Sequence, residues 1–245
     1  MSTTALEVFF FALITAVATG LGAIPFLFFK KITINWLGIS NAIAAGLMLT
    51  ASFTLIFEGM AYGLWKTMLG IFAGLIFILI SNKFLSQRDD LQLSNLNGVD
   101  AKKAILLLGV MTLHSFTEGV GVGVSFGGGE DLGIFITAAI ALHNIPEGLA
   151  ICLTLIPRGM KIWKASLWCV FTSLPQPIMA IPAFVFVEVF NPFLPVGLGF
   201  AAGAMIWMVF SEILPEAEGK TDSNTIGVVI TLSIMAMFIF QYYLR

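Results

Sequence analysis

Residues 114–119 read His-Ser-Phe-Thr-Glu-Gly, and residues 143–148 read His-Asn-Ile-Pro-Glu-Gly. These two stretches contain both histidines of the chain, and in each the histidine is followed four residues later by a glutamate and then by a glycine. Each copy lies inside a long apolar segment, where an ionisable side chain is costly and therefore usually functional. The two stretches are interpreted as two halves of one site, held in place by the rest of the chain.

The composition around these stretches is typical of an integral membrane protein. Of the 245 residues, 58% are hydrophobic and 11% are charged, which is far from the balance of a soluble domain. Apolar runs of about 20 residues, the length that a helix needs to cross the hydrocarbon core, alternate with short polar segments. They predict an all-α chain with eight transmembrane helices in a single transporter domain, residues 1–245. The predicted spans are 6–29, 36–60, 64–81, 104–126, 132–156, 165–187, 194–215 and 225–243.

The basic residues predict how the chain is oriented. If the eight spans alternate in direction, ten lysines and arginines fall on one side of the membrane and two on the other, and the basic side is usually cytoplasmic. We therefore expect both termini outside and the polar loop 82–103 in the cytoplasm, in a plasma (inner) membrane. The cytoplasmic set is Lys30, Lys31, Lys83, Arg88, Lys102, Lys103, Arg158, Lys161, Lys164 and Lys220, and the outer set is Lys66 and Arg245. The net charge of −2 gives no indication of a nucleic-acid partner; membrane lipids are the expected surroundings.

Two further segments resemble one another. Residues 44–48 read Ala-Ala-Gly-Leu-Met in span 2, and residues 201–205 read Ala-Ala-Gly-Ala-Met in span 7. Together with the motifs on spans 4 and 5, this order predicts an inverted 3+2+3 repeat with its site at the repeat interface. The alternative is that small residues simply allow close helix packing in lipid.

The spacing within each motif predicts a metal site between spans 4 and 5. Residues four apart lie on one face of a helix, so His114 and Glu118 can bind one ion, as can His143 and Glu147. Imidazole with carboxylate suits Zn²⁺, Fe²⁺ or Mn²⁺, whereas oxygen ligands alone would suit Mg²⁺ or Ca²⁺. Two antiparallel helices that meet at this level would provide four ligands.

Other polar residues in the apolar spans have two interpretations each. Ser115 and Asn144, one residue after each histidine, are either secondary ligands or hydrogen-bond formers between helices. Glu58 and Glu212 lie either on an ion path or at a membrane interface, where their polar ends reach water. Gln176 lies in a Pro-containing break, residues 173–177, and is predicted to line a polar cavity.

The whole chain resembles the ZIP (Zrt-, Irt-like) metal transporter family, and in particular its GufA-like branch. The resemblance depends on the eight segments and on the two HxxxEG motifs. It implies a metal centre in the middle of the membrane, with a primary site and a neighbouring second site. The primary site would comprise His114, Glu118, His143 and Glu147 with Met48 as a soft ligand, and the second Ser115, Asn144 and Gln176 with shared Glu118 and Glu147.

We therefore expect a transporter, not an enzyme, that moves a divalent cation into the cytoplasm. Zinc is the first candidate, followed by iron, manganese and cadmium; the metal is the substrate, and no cofactor is expected. A homodimer is one assembly that the sequence allows. The alternatives are a membrane-embedded metalloenzyme and a proton-coupled transporter of an organic solute. An HExxH motif is absent, and two histidines are too few for a histidine-rich di-iron site.

Overall fold

The computed structural model describes residues 3–28, 35–86 and 99–244. Within these ranges the chain is helical apart from short turns, and no strand occurs. Seven helical segments are long and apolar enough to cross a membrane. Another, Val99–Gly127, has 29 residues, or about 43 Å of helix, which exceeds the thickness of the hydrocarbon core. The prediction of an all-α membrane protein is confirmed.

The helices begin and end close to the predicted residues. Apolar runs become helices because lipid offers no hydrogen-bond partners, so each backbone must satisfy its own polar groups. The spans are α1 (Ala5–Leu21, followed by a short piece at Pro25–Phe28), α2 (Asn35–Tyr62), α3 (Leu64–Ser86), α4 (Val99–Gly127), α5 (Glu130–Leu155), α6a (Ile162–Ser173), α6b (Pro175–Val189), α7a (Leu194–Met208), a π-helical turn at Val209–Ile213, α7b (Leu214–Glu218) and α8 (Ser223–Leu244).

The break predicted in span 6 is confirmed. Helix α6a ends at Ser173, and Pro175 opens α6b, a position where the missing proline N–H costs nothing because it would have no partner in the helix. Gln176 consequently lies in the first turn of α6b, buried from solvent and lipid.

The predicted loop 82–103 is too long. Helix α3 continues to Ser86 and α4 begins at Val99, so both ends of that segment are helical. Polar residues at the end of a span do not stop a helix, since its hydrogen bonds run along the backbone whatever the side chains are. Residues 87–98 lie outside the described residues, as do Lys30, Lys31 and Arg245.

The helices pack in pairs that match the predicted repeat. Helix α1 packs on α5 as α6 packs on α4, α2 packs on α8 as α7 packs on α3, and α2 contacts α5 as α7 contacts α4. In each of these three comparisons, the second pair of helices is obtained from the first by replacing span 1 with 6, 2 with 7, 3 with 8, and 4 with 5, or the reverse. This is the exchange that a 3+2+3 repeat requires, with α4 and α5 at its centre.

Helices α3 and α8 lie at the edge of this arrangement. Only 22% and 17% of their most apolar segments are buried, whereas large apolar side chains on both, such as Phe72 and Phe238, are exposed. Exposed apolar surface of this extent is what lipid contact requires. The histidines and glutamates of the two motifs, on α4 and α5, are in contrast buried inside the helix bundle.

Candidate metal centre

The two repeated motifs bring their four ionisable side chains together. His114 and Glu118 project from one face of α4, and His143 and Glu147 from one face of α5, because residues four apart are neighbours on a helix. Helix α4 packs directly against α5. All four side chains are at most 3% exposed, so the predicted primary ligands form one buried cluster.

Glu118 lies at the centre of this cluster. Its Oε1 atom is 2.6 Å from Nε2 of His143 and 3.2 Å from Nε2 of His114. Oε2 of Glu147 is 3.5 Å from the same His114 nitrogen. Ligand atoms of His114, Glu118 and His143 all lie within 4.8 Å of one another. Ligand atoms that share a zinc ion at about 2.0–2.2 Å are themselves roughly 3–4 Å apart. The two contacts of His114 lie in this range, whereas His143 and Glu118 are at hydrogen-bond distance.

Several ligand atoms of the cluster have no hydrogen bond. Among the described residues, His114 Nε2, His143 Nδ1 and Glu147 Oε2 are buried without one. Each such atom costs about 1–3 kcal/mol, and more where it is charged. With neutral imidazoles the two carboxylates bring two negative charges, which one divalent cation would balance.

A chain of amide and hydroxyl groups lies beside Glu118. Gln176 Nε2 donates a hydrogen bond to Glu118 Oε2 at 2.6 Å. Gln176 Oε1 accepts from the hydroxyl of Thr15 and, at 3.3 Å, from Nδ2 of Asn144. Asn144 Nδ2 also donates to the carbonyl oxygen of Thr15 at 2.9 Å. The structure thus brings Gln176 and Asn144 together, with Thr15 of α1 as a partner that the sequence analysis missed.

The remaining predicted ligands have different surroundings. Ser115 Oγ is buried without a hydrogen-bond partner among the described residues. Met48 is fully buried in the central apolar cluster, together with Leu55 and Ile140. A thioether contact to a site histidine comes from Met208, whose Sδ is 3.2 Å from His114 Nδ1. Nothing in the sequence singles out Met208, since it is one of 11 methionines in an apolar chain.

The two glutamates predicted along an ion path do not belong to the ligand cluster. Glu212 is half-buried in the π-helical turn between α7a and α7b and accepts a hydrogen bond from Asn82 Nδ2 of α3 at 2.9 Å. Such turns insert one extra residue, change the direction of a side chain and are frequent at functional sites. Glu58 is half-buried in α2.

The glycines that end the two motifs allow neighbouring helices to approach. A Cβ atom at Gly148 would collide with the carbonyl oxygen of Thr19 in α1, and one at Gly119 would lie 2.5 Å from the carbonyl oxygen of Gln176. Only glycine permits such backbone contact. These contacts hold α1 and α6b, which carry Thr15 and Gln176, against the cluster.

The chain is similar in sequence to known proteins over most of its length. The sequence model described as ZIP zinc transporter matches residues 85–242, more than half of the chain. A protein of Arabidopsis thaliana is 47% identical over 230 residues, which are 93% of this chain and 37% of that protein. The zinc transporter GufA of Myxococcus xanthus is 28% identical, covering 84% of this chain and 87% of its own length. The zinc transporter ZupT of Clostridium perfringens is also 28% identical, covering 95% and 94%. The chain thus spans little more than a third of the length of the plant relative.

Proposed function

Because the chain belongs to the ZIP zinc transporter family, we propose that it carries a divalent cation, zinc first, across a membrane through the His114, Glu118, His143 and Glu147 cluster. The observation that carries the proposal is this buried cluster itself, formed where two membrane-spanning helices meet. Two relatives of nearly the same length are named zinc transporters. Iron, manganese and cadmium are further substrates that the same donor atoms accommodate.

The hydrogen bonds that link Asn144, Gln176 and Glu118 support transport of one ion at a time. The backbone carbonyl oxygen of Thr15 can only accept a hydrogen bond, so the side chain of Asn144 must point its amide nitrogen toward it. The carboxylate of Glu118 is likewise an acceptor, so Gln176 must point its amide nitrogen toward Glu118. Gln176 therefore presents a hydrogen-bond donor to Glu118 on the side where a second ion would need an oxygen ligand. Asn144 and Gln176 then form a polar surface beside a single site.

Alternating access fits the packing of the helices. In an inverted repeat, one group of helices rocks against the other around a fixed site, and α4 and α5 lie where the two groups meet. With the basic loops in the cytoplasm, the ion would enter from outside and leave along α7, past Glu212 and Asn82. Glu58 of α2 would contact the ion before it reaches the cluster.

Both rival functions have weaker support. The matched family and the named relatives are transporters, which disfavours a membrane-embedded metalloenzyme. The mixed nitrogen and oxygen donors are those that borderline divalent metals prefer, which disfavours a proton relay for an organic solute.

Zinc flux into proteoliposomes loaded with a zinc-sensitive dye tests the proposal. We expect flux in the wild type and little or none in the double variant His143→Ala with Glu147→Ala. A matched control is Glu130→Gln with Asp131→Asn, two exposed residues at the start of the same helix, which should retain flux. Equal flux in the wild type and the double variant would refute the assignment, and zinc binding to the purified protein would separate a metal transporter from an organic-solute transporter.

A further inference from the structure

Met208 is placed to act on one ring nitrogen of the metal centre. Its Sδ atom lies 3.2 Å from Nδ1 of His114, and both side chains are fully buried. Met208 is the last residue of α7a, directly before the π-helical turn. The contact therefore joins span 7 to a proposed ligand on span 4.

The other nitrogen of the same ring faces the carboxylates. His114 Nε2 is 3.2 Å from Glu118 and 3.5 Å from Glu147. The two nitrogens of an imidazole point away from one another, so a group seated at Nδ1 does not reach an ion bound at Nε2. A neutral imidazole has one donor and one acceptor nitrogen. A proton held at Nδ1 by Met208 leaves the Nε2 lone pair free for the metal.

The chemical nature of this partner sets how firmly the ion is held. A metal-bound histidine usually donates its second N–H to a carboxylate, a carbonyl or water, which fixes the ring and makes it a stronger ligand. A thioether sulfur is a weak acceptor, so it orients the ring while adding little to its basicity. A transported ion must be bound firmly enough to enter and weakly enough to leave.

From these contacts we propose, on the basis of the transport function above, that Met208 is a positioning residue of the metal centre. Its thioether accepts the Nδ1 proton of His114 and orients Nε2 toward the ion. Because it is a weaker acceptor than a carboxylate or a carbonyl, zinc is held less tightly than such a partner would hold it and can be released. Met208 does not itself bind the ion.

Three variants test this role by zinc binding to purified protein and by flux in proteoliposomes. Met208→Leu keeps the volume and removes the acceptor, so zinc affinity should fall roughly 3- to 10-fold, below the loss of 10- to 100-fold usual for stronger partners. Met208→Gln offers a carbonyl oxygen, so zinc should bind more tightly and leave more slowly. Met205→Leu is the matched control, since Met205 is equally buried on the same helix and packs in the apolar core. The Met205→Leu variant should change neither zinc affinity nor zinc flux.

A spectroscopic signal separates positioning from simple packing. The chain has two histidines, so the ring ¹⁵N resonances of the metal-free protein can be assigned with one His143→Ala sample and then followed in the other proteins as zinc is added. Met208→Leu should move the Nδ1 resonance of His114 and leave that of His143 in place.

Identical behaviour of the Met208→Leu and Met205→Leu proteins would overturn the inference. A loss of cadmium affinity much larger than the loss of zinc affinity in Met208→Leu would also overturn it, because that pattern indicates a direct sulfur ligand. If the wild type itself neither bound nor carried zinc, the proposed function would fail instead. Tighter binding by Met208→Gln cannot result from misfolding, so at least one outcome is independent of stability.

Discussion

The motifs on α4 and α5 are alike in sequence, but their surroundings differ. Glu118 contacts both histidines and accepts a hydrogen bond from Gln176, whereas Glu147 Oε2 has no hydrogen bond and approaches His114 at 3.5 Å. His114 contacts Met208 through Nδ1, and the same atom of His143 has no partner among the described residues. The repeat in sequence thus supplies two equal sets of side chains, and the packing around them places Glu118 at the centre of the cluster and Glu147 at its edge.

The largest effect should come from the two glutamates. Glu118→Gln removes the carboxylate that contacts both histidines, so zinc affinity should fall about 100-fold or more, equivalent to roughly 2.7 kcal/mol. Glu147→Gln removes one contact and should lower affinity only about tenfold, equivalent to roughly 1.4 kcal/mol. Calorimetric titration of zinc into the purified proteins measures both. Equal losses would mean that the two halves of the site are equivalent and would contradict the comparison.

The two motif glycines extend the comparison to stability. Gly148→Ala brings a Cβ into the backbone of α1, and Gly119→Ala meets the backbone of α6b less severely. Backbone cannot move aside as a side chain can, so we expect losses of about 1–3 kcal/mol, with Gly148→Ala the larger. Thermal unfolding in detergent measures the difference.

A third glycine provides the control for that experiment. Gly227 lies in α8, and a Cβ there meets nothing within 4 Å. Alanine is also the better helix former by about 1 kcal/mol, so Gly227→Ala should be neutral or stabilising. If Gly148→Ala melted at the same temperature as Gly227→Ala, the close contact between α1 and α5 would be wrong.

The difference between the two motifs also marks what the sequence could predict. The length of the apolar runs was sufficient to predict the membrane spans, since a segment of this kind can cross lipid only as a helix. The spacing of four residues was sufficient to predict that His114 and Glu118 lie side by side. Thr15 and Met208 could not be predicted, because a threonine and a methionine in apolar helices are ordinary residues. Their roles come from which helices pack together, and that information is in the tertiary structure.

The side chain of Gln176 offers a way to sharpen the difference between Glu118 and Glu147. Gln176→Glu places a carboxylate against that of Glu118, which is unfavourable unless a cation lies between them. We therefore expect the variant to bind a second zinc ion per chain where the wild type binds one. Gln176→Leu removes the amide without adding a ligand and should still bind one ion, more weakly. Counting zinc per chain by elemental analysis decides between them; a single ion in Gln176→Glu would show that the amide does not occupy a second ion position.

The smallest effect should come from the residues that follow the histidines. Asn144 donates two hydrogen bonds, to Thr15 and Gln176, so Asn144→Ala should cost about 1 kcal/mol, which corresponds to roughly a fivefold loss of zinc affinity or flux. Ser115 Oγ has no partner among the described residues, and Ser115→Ala removes only that buried, unsatisfied hydroxyl, so affinity and melting temperature should stay the same or rise slightly. Titration and thermal unfolding of the two variants side by side measure both expectations. If Ser115→Ala lost as much affinity as Asn144→Ala, Ser115 would be a ligand in the zinc-bound state, and the two motifs would be more nearly equivalent than their packing indicates.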